Sequence, residues 1–224
     1  MPDSMAWFSL KLSFMVASIS TMLVFILGTA LAYLLARGRF RGKGVLECLI
    51  LLPMVLPPTV TGYYLVVLFG RQGFIGGWLY NTFGYSVIFS WHGAVIASAV
   101  ISLPLMVQAA RAAIEAVDQH LIDVSYTLGH SELETALRIT LPLARQGIFA
   151  GIVLSFARAM GEFGATLMLA GNIPGRTNTM PLEIYSLAAA GEWSRAEGMV
   201  IFFTLVSGLA IYLGRRWNRA PVLR

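Results

Sequence analysis

Four long stretches of the sequence contain no aspartate, glutamate, lysine or arginine, and they constrain the fold more than any other feature. They cover residues 12–36, 48–70, 72–110 and 198–214. A helix that crosses the hydrocarbon core of a bilayer needs about 20 apolar residues. The first three stretches can each supply one, and the fourth can with slight help from its ends. A fifth candidate, residues 146–170, includes Arg158 and Glu162.

The composition agrees with a protein that lies mostly in lipid. Of the 224 residues, 57% are hydrophobic and 12% are charged, whereas a soluble domain usually carries about 25% charged residues. We therefore predict an all-α membrane protein with about five transmembrane helices, organised as one domain over residues 1–224. The single cysteine, Cys48, cannot form an intrachain disulfide. We assign no catalytic residue and no metal site.

Basic residues cluster beside the apolar stretches and predict the orientation of the chain. Five crossings place three clusters on one side, and lysine and arginine in short loops mark the cytoplasmic side. We predict a multi-pass protein of the cytoplasmic (inner) membrane, with the N-terminus outside and the C-terminus in the cytoplasm. Nucleic-acid binding is not expected, because these residues flank spans and form no separate patch. The clusters hold eleven of the 16 basic residues: Arg37, Arg39, Arg41 and Lys43; Arg111, Arg138 and Arg145; and Arg215, Arg216, Arg219 and Arg224. The opposite side holds Arg71, Arg176 and Arg195.

One polar segment of the predicted cytoplasmic side, "DVSYTLGHSELETALRITLPL" at residues 123–143, has the features of two short helices. Gly129 can adopt the left-handed conformation that ends a helix. Ser131 and Glu134 form the S-x-x-E pattern of a capping box, which begins a new helix. Pro142 fits the first turn of the next helix. Val124, Leu128, Leu133, Ala136 and Leu137 can form apolar faces, which a cytoplasmic loop needs only if it packs against something.

The same segment resembles the EAA loop of the transmembrane subunits of ABC importers. That pattern is E-A-A, three residues, Gly, nine residues and then I-x-L-P. Gly129 and the run Ile139, Thr140, Leu141, Pro142 stand at matching positions, whereas Asp123, Val124 and Ser125 replace E-A-A and change both alanines. The resemblance implies that residues 119–143 are the coupling helix that sits in a cleft of an ATPase subunit. The coupling residues would be Asp123, Val124, Ser125, Leu128, Gly129, Ile139, Leu141 and Pro142. An ordinary helical linker is the alternative.

The sequence contains no nucleotide-binding motif of its own. The nearest match to a phosphate-binding loop, "GRFRGKG" at residues 38–44, has the wrong spacing and lacks a Ser or Thr after the lysine. We expect this chain to bind no cofactor, and ATP with magnesium to bind a separate partner subunit.

The charged pair in the fifth candidate span, Arg158 and Glu162, leaves two interpretations open. Residues four apart share a helix face, and charges at membrane depth are costly and normally hidden from lipid. The pair is therefore either a structural ion pair, or Arg158 attracts an anion along a pathway. In the same span small residues recur every four positions, at Gly147, Gly151, Ser155 and Ala159. Such spacing allows close helix packing, either within one subunit or at a dimer interface.

Prolines predict interruptions of two spans. Pro53, Pro57 and Pro58 fall in the second and Pro104 in the third. A proline removes a helix hydrogen bond and kinks or breaks the helix. Irregular backbone at membrane depth is tolerated where it faces protein or a water-filled cavity. These sites are candidates for a gate or for the lining of a pathway, with static curvature as the alternative.

Three further stretches are similar to the oxyanion branch of the ABC importer permeases. "ARAMGEFGA" at residues 157–165 is shared by molybdate and sulfate members, whereas residues 52–76 and 169–185 look most like molybdate permeases. The resemblance covers about residues 8–213. It implies a type I ABC importer permease fold in the lipid bilayer, two copies of the chain as a homodimer, two ABC ATPase subunits and a periplasmic or extracellular molybdate-binding protein. The expected substrate is molybdate, with tungstate as a further candidate.

Two alternatives in function remain at this stage. Sulfate or thiosulfate could be the substrate of the same machinery. A secondary transporter driven by an ion gradient is the alternative from another class, but such proteins usually carry intramembrane carboxylates and a repeat. Glu162 alone meets the first condition here. Import of a dianion against 100 mV costs about 4.6 kcal/mol, from about 2.3 per charge, so a passive pore would not accumulate it.

Overall fold

The structure is a computed structural model that describes residues 4–218, and this part of the chain is helical without any β-strand. The connections between the helices are short. The elements in chain order are α1 (Ser4–Arg37), α2 (Lys43–Val55), α3 (Pro58–Phe69), α4 (Phe74–Phe83), α5 (Trp91–Glu115), α6 (Gln119–Thr127), α7 (Glu132–Thr135), a π-helical turn (Ala136–Thr140), α8 (Leu141–Leu143), α9 (Arg145–Met160), α10 (Gly164–Ala170), α11 (Met180–Ala189) and α12 (Trp193–Asn218).

Three helices of the described part are long and apolar enough to cross a membrane without a break. They are α1, α5 and α12. Two further candidates are bent pairs: α2 with α3, at 118°, and the run Glu132–Leu143 with α9, at 73°. The count of crossings is thus three, or up to five if each bent pair is one span, which includes the predicted number.

Helix α5 lies at the centre of the bundle and packs against both α1 and α9. Small buried residues on α5 permit close approach. Gly147 of α9 faces Ala113 so closely that an added Cβ would lie 2.3 Å from the alanine Cβ. The Ser155 hydroxyl donates to the backbone oxygen of Ser102 at 3.3 Å. The small residues of α9 therefore serve packing within one subunit. The largest buried apolar cluster combines Val24, Ala32 and Leu35 of α1 with Met106, Val107, Ala110 and Ile114 of α5.

The prolines interrupt one of the two predicted spans. Pro57 is the N-cap of α3 and Pro58 its first residue, so the second span is broken as predicted, while Pro53 lies inside α2. The predicted interruption at Pro104 is wrong, since α5 continues through it to Glu115. Pro104 is fully buried, and packing by neighbouring helices is what allows proline within a membrane helix.

The span predicted over residues 146–170 consists of two helices. Helix α9 ends at Met160 and α10 begins at Gly164. Together they run antiparallel to α5, from the contact of Gly147 with Ala113 to the approach of Leu169 to Gly93. The pair therefore covers the whole length of α5 despite the break.

The basic clusters lie at one end of the bundle, which we call the basic end. There the Arg37 guanidinium donates to the backbone oxygen of Ile114 at 2.9 Å, and Arg111 pairs with Glu47 at 2.6 Å. The opposite end contains the N-terminal end of α5, α11 and the start of α12, with Arg71, Arg176 and Arg195. This arrangement matches the predicted separation of basic residues. Arg219 and Arg224, assigned to the third cluster, lie outside the described residues.

Candidate functional site

Residues 119–143 form a helical hairpin at the basic end, and its first helix is well defined at the start. The Asp118 side chain accepts a hydrogen bond from the His120 backbone N–H at 2.9 Å. Such a cap satisfies one of the free N–H groups of the first turn. Helix α6 therefore begins at a fixed residue, directly after α5 ends.

The turn between the two helices of the hairpin depends on Gly129. Its φ is +84°, in the left-handed region. The His130 N–H donates to the Ser125 oxygen at 3.2 Å, and the Gly129 N–H donates to the Tyr126 oxygen at 3.0 Å. These two bonds form a Schellman motif, which satisfies carbonyls at the end of a helix. The predicted left-handed turn is confirmed.

The second helix of the hairpin begins with the predicted capping box, which is confirmed. The Ser131 hydroxyl accepts from the Glu134 N–H at 3.3 Å, and the Ser131 N–H donates to the Glu134 carboxylate at 2.9 Å. This backbone hydrogen bond to the carboxylate, together with one from the Ser131 hydroxyl, holds the pKa of Glu134 below its usual value. Both helices of the hairpin are therefore anchored at the residues next to the turn.

Ser125, the third residue of the D-V-S run, lies inside the hairpin. It is 1% exposed, and its hydroxyl is 2.8 Å from that of Thr135 and 3.2 Å from His130 Nδ1. Its side chain therefore joins the two helices to each other. The surface of the same turn is formed instead by Val124, which is 40% exposed.

Large apolar side chains of the hairpin are exposed, and two of them, Leu133 and Leu137, line a cleft against α1. Leu128 and Leu133, on either side of the turn, are 72% and 69% exposed. Leu121, Val124 and Leu137 are exposed as well. Exposed apolar groups concentrated in one otherwise polar segment are typical of a protein interaction site. We call these five residues the apolar surface of the hairpin.

Pro142 occupies the first turn of a helix, but this helix is the short α8 and not the span. The predicted position of Pro142 in the first turn of the next helix is confirmed, and the long helix α9 starts only at Arg145, after the 73° bend. A proline ring clashes with the carbonyl four residues earlier in a regular α-helix. The π-helical turn before it, closed by a bond from the Leu141 N–H to the Ala136 oxygen, supplies a wider backbone. Ile139 and Leu141 are half-buried there, and Leu141 packs against the main core cluster.

Arg37 fixes the hairpin to α1, a role that the sequence analysis missed. Its Nη1 donates to Gln119 Oε1 at 2.7 Å, and the Gln119 amide donates to the Asp123 carboxylate at 2.9 Å. The same guanidinium donates to the Ile114 and Val117 carbonyls at the C-terminal end of α5, where a cation is favourable. The sequence marks Arg37 only as one more basic residue, because its partners are far along the chain.

The second candidate site lies where α9 ends. Arg158 Nη2 is 2.9 Å from Glu162 Oε2, in an ion pair without hydrogen-bond alignment. The Glu162 side chain is 1% exposed and that of Arg158 is 33% exposed. Glu162 Oε1 also accepts from the Ala165 N–H at 2.8 Å, so the carboxylate both pairs with Arg158 and caps α10. The arrangement is that of the structural ion pair, and a contact of Arg158 with an anion stays a prediction.

The break between α9 and α10 meets the break between α2 and α3, and we call this meeting point the membrane junction. An added Cβ at Gly62 would lie 2.7 Å from Met168 Cβ and 2.9 Å from Ala165 Cα. One at Gly164 would lie 3.0 Å from Pro58 Cβ. The prolines here were predicted from the sequence and the two glycines were not, although their place beside the breaks is a usable signal. A gating role for Pro53, Pro57, Pro58 and Pro104 stays a prediction.

Comparison with known sequences places these features in a family. Residues 8–220 match the model of the family described as "Binding-protein-dependent transport system inner membrane component". The molybdenum transport system permease protein ModB of Escherichia coli K12 is 46% identical over 201 residues, which cover 89% of this chain and 88% of that protein. ModB of Haemophilus influenzae is 43% identical over 209 residues, or 93% and 91% of the two chains.

Solved structures agree on the fold. A chain of the MetNI methionine ABC transporter in an inward-facing conformation aligns with a TM-score of 0.76 at 16% identity, over 100% of both chains. A chain of a bacterial ABC transporter involved in the import of the acidic polysaccharide alginate gives 0.78 at 15% identity, over 99% of this chain and 81% of that one. The predicted fold class, an all-α membrane protein with the type I ABC importer permease fold, is confirmed.

Proposed function

The chain belongs to the family of binding-protein-dependent transport system inner membrane components, and we propose that it forms the membrane pathway of an ATP-driven importer of molybdate. The observation that carries this proposal is the 46% identity to the Escherichia coli permease over 89% of the chain. Membership of the family removes the ion-driven secondary transporter from consideration. Relatives of this similarity named for molybdenum favour molybdate over sulfate or thiosulfate.

The chain is a permease subunit and not an enzyme, and we propose that a separate ATPase hydrolyses ATP. Two ATPase subunits would dock on the hairpins of two copies of the chain. The apolar surface of the hairpin supports this assignment, because Leu128 and Leu133 are more than two-thirds exposed beside a rigid turn. Arg37 links α6 to α1, Ser125 and Thr135 join α6 to α7, and α7 leads through α8 to α9, so the hairpin can transmit a displacement to the membrane part.

The anion would enter at the end opposite the hairpin. We propose that a periplasmic or extracellular binding protein delivers it there, to the loops around residues 70–87 and 171–197. The separation of basic residues between the two ends supports an N-terminus outside and a C-terminus in the cytoplasm. Reporter fusions after Lys43 and after His130 should read cytoplasmic, and fusions near Thr82 and Asn178 external. An external signal from the His130 fusion would remove the hairpin from the reach of an ATPase.

Uptake into vesicles tests the substrate. Molybdate, tungstate and sulfate are tetrahedral dianions, so charge does not distinguish them. Fixed hydrogen-bond donors spaced for an anion of one size would distinguish them, because donors that a wrong-sized anion leaves unpaired are costly. The described membrane part has few such donors, so the binding protein should set selectivity. Vesicles with the permease, its ATPase and its binding protein should accumulate labelled molybdate with ATP. Tungstate should compete strongly and excess sulfate weakly. Strong sulfate uptake that molybdate does not reduce would overturn the proposed substrate.

A further inference from the structure

A cleft of about 650 Å³ opens at the end of the bundle opposite the hairpin. It lies between the end of α3, the loop before α5 and the loop after α10. The residues that line it are Arg71, Tyr85, Ser86, Ile88, Phe89 and Arg176. Two cationic side chains therefore share one concave space with two hydroxyl groups, and no carboxylate is among the lining residues.

The two arginines of this cleft have no acidic partner in the part of the chain that the structure describes. The Arg71 guanidinium lies over the Tyr80 ring, 4.8 Å from its centroid, which orients it without neutralising it. Arg176 is exposed at the tip of a turn. Two like charges that face the same space repel each other, and an anion between them removes that repulsion. Guanidinium groups also present paired donors that match the oxygens of an oxyanion.

The loop that carries Arg176 is rigid. The Thr177 hydroxyl accepts from the Ile173 N–H at 3.0 Å and donates to the Gly171 oxygen at 3.2 Å. Thr177 itself is fully buried. The position of Arg176 is thus set by a closed turn whose anchor lies in the interior.

The facing loop is held in a strained conformation. Phe89 has a φ of +58°, the one positive value among non-glycine residues of the described chain. Its N–H donates to the Leu169 oxygen at 3.1 Å, and its ring fills the space where Gly171 lacks a side chain. The Tyr85 hydroxyl is hydrogen-bonded to His92 Nδ1. Strain of this kind persists only where the surrounding structure enforces it, and it is concentrated at functional sites.

We propose that this cleft binds a tetrahedral oxyanion dianion and holds it ahead of the membrane pathway. The proposal rests on the proposed function for the identity of the anion and the side of the membrane. The concave shape favours a small anion over an acidic patch of a partner protein, because both charges line a recess. Ile88 and Phe89 form apolar walls beside the charges, and low-dielectric walls strengthen the attraction of an anion.

Reaction of a thiol placed in the cleft tests the proposal. Ser86→Cys is made in a Cys48→Ser background, and the full transporter is reconstituted in lipid nanodiscs. An anionic methanethiosulfonate reagent should modify this thiol faster when both arginines are present than in the Arg71→Gln/Arg176→Gln variant. The expected difference is about threefold per arginine, for charges about 6 Å apart in water. A neutral methanethiosulfonate reagent should react at the same rate with and without the two arginines. Molybdate or sulfate should slow the anionic reagent only when the arginines are present.

Two control variants change residues at the same end of the bundle as the cleft. Arg195→Gln removes an exposed arginine on α12 that pairs with Glu192 and lies outside the cleft, so the reaction at Ser86→Cys should not change. A thiol at Ser194, which is exposed on α12, should not respond to the loss of Arg71 and Arg176. Both controls separate a local anion site from a general change of surface charge.

Three results would overturn the proposal. They are an anionic rate that is independent of the arginines, an equal change for the neutral reagent, and no protection by molybdate or sulfate. If the double variant loses only affinity for the binding protein, the arginines are a docking surface and the cleft is not an anion site. Uptake by the wild-type transporter is measured separately. Charge-dependent protection without molybdate uptake would retain the cleft and reject the proposed function.

Discussion

The hairpin at residues 119–143 and the membrane junction are two places where the helical bundle departs from long uninterrupted helices, and they are built differently. The hairpin is held by contacts between neighbours in sequence, such as Ser131 with Glu134 and Ser125 with Thr135. The junction is held by contacts between distant segments, such as Gly62 with Ala165. The internal contacts of the hairpin are therefore local, and it meets the rest of the bundle through Arg37 and Ile122, whereas the junction depends on the packing of the whole bundle.

Helix α9 connects the two regions. One residue, Ala144, separates it from α8 of the hairpin, and it ends at Met160, shortly before Glu162, whose carboxylate accepts from the Ala165 N–H of α10. A displacement of the hairpin therefore reaches the junction through one continuous helix. Residues at the ends of elements absorb backbone changes in domain movements, and the break at residues 161–163 is the place on this path where such a change can occur.

The largest expected effect is at the junction. Glu162→Ala leaves Arg158 unpaired at membrane depth and removes the cap of α10. Breaking a buried pair costs about 3–5 kcal/mol, and the partial exposure of Arg158 favours the lower end. We expect this loss in the free energy of unfolding of the purified permease in mixed micelles, with a parallel loss of inserted protein.

Two further variants sharpen that prediction. Glu162→Gln keeps an oxygen for the Ala165 N–H and should cost less than Glu162→Ala. The Arg158→Ala/Glu162→Ala double variant should cost less than the sum of the single changes, since no unpaired charge remains. Wild-type stability of Glu162→Ala would mean that the pair contributes little to the junction. Transport measurements give the other outcome. If Glu162→Ala still transports, while Arg158→Ala and the double variant are equally inactive, Arg158 contacts the anion.

The second effect concerns the close approach of α3 and α10. Gly62→Ala places a Cβ 2.7 Å from Met168 Cβ, and overpacking of this kind costs about 1–3 kcal/mol. Gly198→Ala is the matched control, because an added Cβ there meets no atom of the chain within 4 Å. It should be neutral, or stabilising by up to about 1 kcal/mol. Equal unfolding free energies for the two variants would contradict close packing at the junction.

The different construction explains what the sequence could predict. The hairpin follows from local rules, so the turn at Gly129 and the capping box at Ser131 were predicted correctly from residue types and spacing. The three unbroken candidate spans, α1, α5 and α12, follow from uncharged stretches and were likewise predictable. The sequence did not allow prediction of the inward orientation of Ser125 or of the link from Arg37 to Gln119, because each depends on which segments meet in three dimensions.

The errors have the same origin. Pro104 carries the same local signal as Pro57 and Pro58, yet α5 continues through it because packing on both sides outweighs the missing hydrogen bond. Residues 146–170 are apolar enough for one span, and the break after Met160 becomes visible only with the bond between Glu162 and Ala165. Local patterns indicate where a helix can break, and tertiary contacts decide whether it does.

The third effect is confined to the hairpin. Gly129→Val forces a β-branched residue into the left-handed region, which costs an L-residue about 1–2 kcal/mol. The Schellman turn should open and change the angle between α6 and α7, while the membrane bundle remains folded. We expect loss of ATP hydrolysis coupled to uptake, with normal insertion. Gly129→Asn is the control, since asparagine tolerates this conformation. Normal coupled uptake by Gly129→Val would remove the turn from the coupling mechanism.

The smallest effect tests whether the two regions are independent. Ser125→Ala removes one partner of the buried Thr135 hydroxyl, and a hydrogen bond of this kind contributes about 0.5–1.5 kcal/mol. Combined with Thr135→Val, it should show a coupling energy of that order, because the two side chains touch. When Ser125→Ala is combined with Gly62→Ala, the two changes in the free energy of unfolding should add to within about 0.5 kcal/mol, as expected for sites without shared partners. Chemical denaturation of the single and double variants measures both values. A larger coupling between Ser125 and Gly62 would show that the hairpin and the junction unfold as one structure, and that the hairpin is not the locally determined unit described above.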